Sequence, residues 1–325
     1  MANNNAIKRQ VIFNKYAANL DLLMSEGLLP GLTKKYDKTY ICPICLNQFS
    51  EDDLVISKAN HLTLEHVPPD ALRGKPIVLT CENCNNSCGI ETDKHLINRI
   101  REMDKRDFLP GALISALFKK SGKVVRGLLE VMEDGLAKVS HSEKHNHPEA
   151  LKDYIVEIDP KSSDRIVNME IENSNVDLWK LRVALLKIGY LLTFEKFGYA
   201  FILNPEYNDI RRQLRNPEEE IYPPNFFMQA PFPKEYFGVP FITEKKLESI
   251  MPIFSLKTNL SERVFSTIIP ITSKPIEQVI DGLNNLFDRK KTIEVEMYGF
   301  SPEINYLSDV DAIEHLLNWI DRIIA

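Results

Sequence analysis

The chain has 325 residues, a formal net charge of −6 and 44% hydrophobic residues, the make-up of an ordinary globular protein long enough for two domains. No apolar run approaches the length of a membrane span, and Met1-Ala2-Asn3-Asn4-Asn5 is no signal peptide, so the expected compartment is the reducing cytoplasm. The negative charge argues against a protein that coats DNA generally, and any nucleic-acid surface must be local or supplied by a partner.

In chain order, residues 6–27 predict an amphipathic helix, with Ile7, Val11, Ile12, Tyr16, Leu20 and Leu23 at helical spacing and Gly27 and Pro30 ending it. Lys34, Lys35 and Lys38 then lead into Cys42-Pro43-Ile44-Cys45. A second pair follows in Leu79-Thr80-Cys81-Glu82-Asn83-Cys84-Asn85-Asn86. Two C-x2-C pairs supply four thiolates, the set that a tetrahedral Zn²⁺ favours. Disulfides or buried free thiols are the other reading, and disulfides fit poorly with a chain of this size lacking a secretion signal. Cys88, one helical turn after Cys84, is a spare thiol expected to pack on the site.

Between the pairs, Val55-Ile56 and Leu62-Thr63-Leu64 predict short strands around a polar turn, and Ile77-Val78-Leu79 a third. Glu65-His66 lies where the second strand ends, because Pro68-Pro69 denies further ladder donors. From Cys84 to about Ile100 the pattern turns helical, giving strand, strand, helix with a zinc at the ends. Asp93 shares the helix face of Asn86 and is a candidate additional ligand, whereas a solvated face is the simpler reading of His95.

This region, about Ile41 to Arg101, resembles the HNH nuclease family, whose module is a ββα-metal fold. The resemblance implies that Glu65 binds a divalent Mg²⁺ or Mn²⁺ ion, that His66 is the general base on a water, and that Asn85 stands in the place of the final His as the second ligand. Cys42, Cys45, Cys81 and Cys84 would be the structural zinc knuckles that commonly flank the motif. The family's middle Asn has no counterpart here, where Gly74-Lys75-Pro76 stands instead. On chemical grounds a hard cation prefers such oxygen ligands, and a neutral imidazole takes a proton at neutral pH. Arg73 and Lys75, on the loop facing the same region, are candidate phosphate contacts.

Further on, strands Lys123–Val131 and Gly135–Val139 flank Asp134-Gly135, a type I′ hairpin signal. Lys119, Lys120, Lys123 and Arg126 form a small basic cluster. His141, His145 and His147 stand in a polar tract that reads as solvated rather than metal-binding. From Leu151 a further domain is expected. It has strands at Tyr154–Ile158, Val167–Ile171 and Tyr199–Leu203, a buried helix from Asp177 to Phe197 and a short helix at Asp209–Leu214. Irregular chain at 217–240 comes next, then strands at 254–257, 264–271 and 292–298, with helices at 275–287 and 309–323. No Walker-type phosphate loop is present.

The expectation is an α+β protein: an N-terminal helix with a zinc-stapled HNH module over 1–110, a hairpin and linker over 111–150, and a C-terminal α+β domain over 151–325 that senses a signal or binds a partner protein. The expected activity is metal-dependent endonucleolytic cleavage of DNA, as in effectors of prokaryotic defence against phage; oligomerisation is compatible with it. The alternatives are a catalytically inactive, zinc-stabilised module that binds nucleic acid or protein, and an RNA-directed nuclease subunit of a larger complex.

Overall fold

The structure, a computed structural model, describes residues 2–158, 166–172, 174–271, 275–289, 295–301 and 303–324. It is of the α+β class, with helices and antiparallel sheets. The chain forms two compact units. Unit 1 holds Met1–Ile97, Asp177–Leu256 and Arg263–Ala325, and unit 2 holds Asn98–Val176 and Lys257–Glu262. The expected division at 110 and 150 is sequential, whereas the two units interleave along the chain.

Unit 1 opens with helix α1 (Ala2–Ser25). Gly27, at φ 71°, ends it in a Schellman arrangement: Leu28 N donates to Leu23 O and Gly27 N to Met24 O. Its Phe13, Tyr16 and Leu20 are fully buried, and Tyr16 stacks on Phe194 at 4.4 Å. Strands β1 (Tyr40–Ile41) and β2 (Gln48–Phe49) pair around the first cysteine turn. The expected strand at Val55-Ile56 does not form. Ser50 caps a 3₁₀ turn over Glu51–Leu54 through Asp53, and Val55 and Ile56 follow it exposed and unladdered.

The hairpin is β3 (Leu62–Val67) against β4 (Lys75–Cys81). Its register slips between Glu65, opposite Val78, and His66, opposite Pro76. Pro76 has no N–H to give the ladder, and a bulge there absorbs the loss. A Cβ on Gly74 would lie 1.4 Å from the Pro68 carbonyl oxygen, so the connecting loop closes only with glycine at 74. Helix α2 (Glu82–Cys88), one π-helical turn over Gly89–Asp93, and helix α3 (Lys94–Arg106) complete the strand–strand–helix order.

Unit 2 is a four-stranded sheet in the order β7-β6-β5-β8, from β5 (Leu113–Lys120), β6 (Lys123–Val131), β7 (Ala137–Ser140) and β8 (Asn168–Ile171). The Asp134-Gly135 turn is not type I′. Gly135 N donates to Met132 O, Met132 N to Leu136 O, and only Gly135 takes positive φ, the longer loop with a left-handed glycine. The strand expected at Tyr154–Ile158 is instead the end of helix α4 (Pro148–Glu157). Pro148 begins that helix. Leu151 and Tyr154, three apart, face the core made by Ile114, Phe118, Val125 and Leu129, and leave Ile155 and Val156 outside. Unit 2's basic cluster is largely paired: Lys119 with Glu170, Lys123 with Asp153 and Arg126 with Glu172.

The remaining elements return to unit 1. Helix α5 (Leu178–Phe197) begins where Asp177 accepts from Trp179 N and Lys180 N, and it is buried along most of its length. The strand expected over Tyr199–Leu203 is helix α6 (Tyr199–Ile202). Gly198, at φ 62°, turns the chain, and Asn19 Oδ1 of α1 accepts from Tyr199 N at 3.0 Å. Helix α7 (Asn208–Arg215) follows, its Arg211 buried and bonded to Ile202 O, Asn204 O and Asn208 Oδ1. Strand β9 (Phe227–Gln229) lies within the largely irregular stretch, then β10 (Phe241–Ile242), β11 (Ser249–Ile250), β12 (Ile253–Lys257), β13 (Glu262–Thr267), β14 (Ile269–Pro270), α8 (Ile276–Arg289), β15 (Met297–Tyr298) and α9 (Val310–Ile324). They form sheets ordered β12-β13-β9 and β14-β11-β10-β15. The expected strand at 292–298 is seen only at its end, since 290–294 lie outside the described residues. Among the described residues no helix is long and apolar enough to cross a membrane.

Candidate functional site

Two clusters of ionisable side chains occupy neighbouring parts of unit 1. The first is the thiol set. Cys42, Cys45, Cys81 and Cys84 bring their sulfurs within 4.8 Å of one another, so they could hold a metal ion such as zinc. The turn between the first two is set by Leu46, at φ 59°, whose N donates to Cys42 O, while Cys42 N donates to Asn47 O. The second pair joins the end of β4 to the first turn of α2, and Cys81 N points at Cys42 Sγ, 3.5 Å away. Tyrosines brace this region: Tyr40 Oη donates to Leu79 O, Tyr199 Oη to Ile41 O and Tyr190 Oη to Pro43 O. Burial pushes the Cys42 thiol well up from its ordinary range, so an added cation is what would favour its thiolate. Cys88 is not part of the set. It is buried against Leu214 of α7, and burial raises its thiol to about 12.

The second cluster lies about 10 Å along β3, the rise of three residues. Glu65 is 3% exposed and points inward. Its Oε1 accepts from Lys187 Nζ at 2.9 Å and its Oε2 from Thr80 Oγ1 at 3.1 Å. Asp93, 8% exposed, ends the π-helical turn, and its Oδ2 accepts from the same ammonium at 2.6 Å. Asp93 Oδ1 is buried and has no hydrogen-bond partner among the described residues. Burial raises the Asp93 carboxyl, with Lys187 opposing. Burial alone would lower the Lys187 ammonium, but Glu65 and Asp93 together hold it above the ordinary lysine range.

His66 takes the opposite side of the strand. Its side chain is 35% exposed, with Nε2 3.9 Å from Asp70 Oδ1. Asn85, on α2, donates from Nδ2 to Thr63 Oγ1 at 2.7 Å and Leu64 O at 3.3 Å, tying the helix to β3 just before Glu65. Arg73, at φ 64°, and Lys75 are exposed on the connecting loop and the start of β4. Lys75 pairs with Val67, the residue after His66. His95, expected on a solvated face, has Nδ1 3.0 Å from Asp177 N and so accepts the first backbone donor before α5.

Glu65 and Asp93 therefore meet, but through a lysine that sequence reasoning did not single out. Its signal was present: one charge among Leu185, Leu186, Ile188 and Leu191 on a helix apolar on most sides requires a buried counter-charge. His66 lies on β3 and Asn85 of α2 reaches the same strand at Thr63 and Leu64, while Cys88 and His95 serve packing and helix seating. In unit 2, His141 packs edge-on against Phe118 and Tyr154 and its Nδ1 lies 3.1 Å from Arg126 O, so that histidine is a packing residue. No family model matches the chain, and no curated protein or solved structure matches it either.

Proposed function

We propose that unit 1 carries an HNH-type endonuclease that hydrolyses phosphodiester bonds in DNA, with Zn²⁺ on the four thiols as a structural ion. The observation that supports this reading is the course from β3 to α2. Glu65-His66 ends the first strand, the second strand returns to the thiols, and the following helix sends Asn85 back to the first strand. His66 is accessible to water, and Arg73 on the connecting loop and Lys75 at the start of β4 are exposed cationic side chains of the same hairpin. In this reading the His66 imidazole takes the proton of the attacking water, and Arg73 and Lys75 attract the phosphodiester.

Mg²⁺ or Mn²⁺ at Glu65 and Asn85 would supply charge opposite the phosphate. The residues as arranged do not fit such an ion. Both Glu65 oxygens are engaged, one by an ammonium, and the Asn85 amide is turned to β3. That arrangement favours the second reading, a zinc-stabilised module that binds nucleic acid or protein without cutting it. An effector role in prokaryotic defence, in the cytoplasm and with a partner on the rest of the chain, extends the first reading.

The experiment incubates zinc-loaded protein and supercoiled plasmid over a Mn²⁺ or Mg²⁺ series, with EDTA and His66→Ala controls and RNA in parallel. Nicking or linearisation is expected, lost in EDTA and slowed by about 10²–10⁴-fold in His66→Ala. DNA binding without cleavage at any ion concentration would establish the binding module, and cleavage of RNA alone the RNA-directed reading.

A further inference from the structure

The oxygens that a divalent ion would need are already held by a cation belonging to the chain. Lys187 comes from the middle of α5, is 1% exposed, and reaches Glu65 on β3 and Asp93 on the π-helical turn. A hard divalent ion gathers about six oxygen ligands and favours carboxylates among them. Of the four oxygens on this carboxylate pair, two accept from Lys187, one accepts from Thr80, and one, Asp93 Oδ1, is buried with no partner among the described residues. An ion drawn to that free oxygen would stand beside the ammonium, and two like charges at such range repel strongly in a buried setting.

We infer that Lys187 is the resident cation of the Glu65–Asp93 pair and that the pair so occupied excludes a divalent ion. The inference rests on the nuclease reading for its consequence in catalysis, but not for its ion-binding content. Two features carry it. The ammonium comes from α5, which is separated by 122 residues from Glu65, so the packing of another part of unit 1 supplies the counter-charge of the strand–strand–helix module. Asp93 Oδ1, buried and without a donor among the described residues, is the oxygen that gains most from a cation once the ammonium is removed.

The test titrates Mn²⁺ into zinc-loaded, full-length wild type, Lys187→Met and the double variant Lys187→Met/Glu65→Gln. Free ion is read by electron paramagnetic resonance, and near-UV circular dichroism reports the fold. Lys187→Met is expected to bind Mn²⁺ roughly tenfold or more tightly than wild type, with the gain lost in the double variant. The Mn²⁺ concentration for half-maximal plasmid cleavage should move in the same direction. Equal Mn²⁺ affinity in wild type and Lys187→Met, dependent on Glu65 in both, overturns the inference. Should Lys187→Met fail to fold, wild type against Glu65→Gln decides it. Mn²⁺ binding by wild type that is indifferent to Glu65 supports the exclusion, and tight Glu65-dependent binding by wild type overturns it. The binding pattern without cleavage by any of the proteins retires the nuclease reading and leaves the exclusion standing.

Discussion

The thiol set and the carboxylate pair both draw on the β3–β4 hairpin and the helical run that follows it, yet they solve the problem of buried charge in opposite ways. Four thiols converge on one point, and their thiolates are the form that an ion from solution would bind. Two carboxylates converge a few residues further on and already hold an ammonium between them. The first cluster is an invitation to a metal and the second is closed by the chain itself. Proximity of ligating atoms alone therefore says little about metal binding; what decides is whether the fold has supplied the counter-charge.

That contrast can be broken most forcefully at the thiols. Chelation of zinc, or Cys42→Ser, should unfold the region from β1 to α2, since structural zinc contributes about 10–16 kcal/mol in small zinc modules at neutral pH. Tyr40, Tyr190 and Tyr199 brace the knuckle independently of any ion, so the loss in this larger unit should be smaller, read as a fall in melting temperature that added Zn²⁺ reverses. At the other cluster, zinc should reverse nothing. Lys187→Met strands two buried carboxylates and should cost about 3–5 kcal/mol in a urea titration at neutral pH.

A finer comparison lies within the carboxylate pair. Glu65 is bonded through both oxygens and Asp93 through one, so Glu65→Gln should destabilise by about 1–3 kcal/mol and Asp93→Asn by less. Equal losses would mean that Asp93 Oδ1 finds a partner in solution. The smallest effect concerns His95, whose imidazole is lowered chiefly by burial and next by Lys94, and which accepts from Asp177 N. Because the folded value is depressed, its contribution is complete above the ordinary histidine value of about 6.5 and is lost as pH falls through the folded value. Wild type should therefore lose slightly more stability than His95→Gln between neutral pH and the acid side of that window. A pH-independent difference between the two would remove His95 from the seating of α5.

Several errors of the sequence reading share one origin. Tyr154–Ile158 and Tyr199–Leu203 are rich in β-branched and aromatic residues, which favour strands only weakly outside their context. Pro148 and the burial of Leu151 with Tyr154 made the first a helix. For the second, the deciding partner was Asn19, 180 residues away, which accepts from Tyr199 N. Val55-Ile56 had the composition of a strand but no neighbouring strand to pair with once β3 joined β4.

The sequence by itself determined the features whose physics is local. Cysteine spacing set the two turns that converge on one point, Pro68-Pro69 ended β3, and apolar periodicity from Asp177 to Phe197 defined α5. It also placed Glu65 and His66 on opposite sides of one strand, since successive strand residues alternate. Only the tertiary structure decided which charge meets which. Lys187 lies 122 residues from Glu65 and 94 from Asp93. Local pattern reports that a buried lysine must find carboxylates, but the choice among the chain's acidic residues is made by which elements pack together, because desolvation penalises every charge left unpaired in the core.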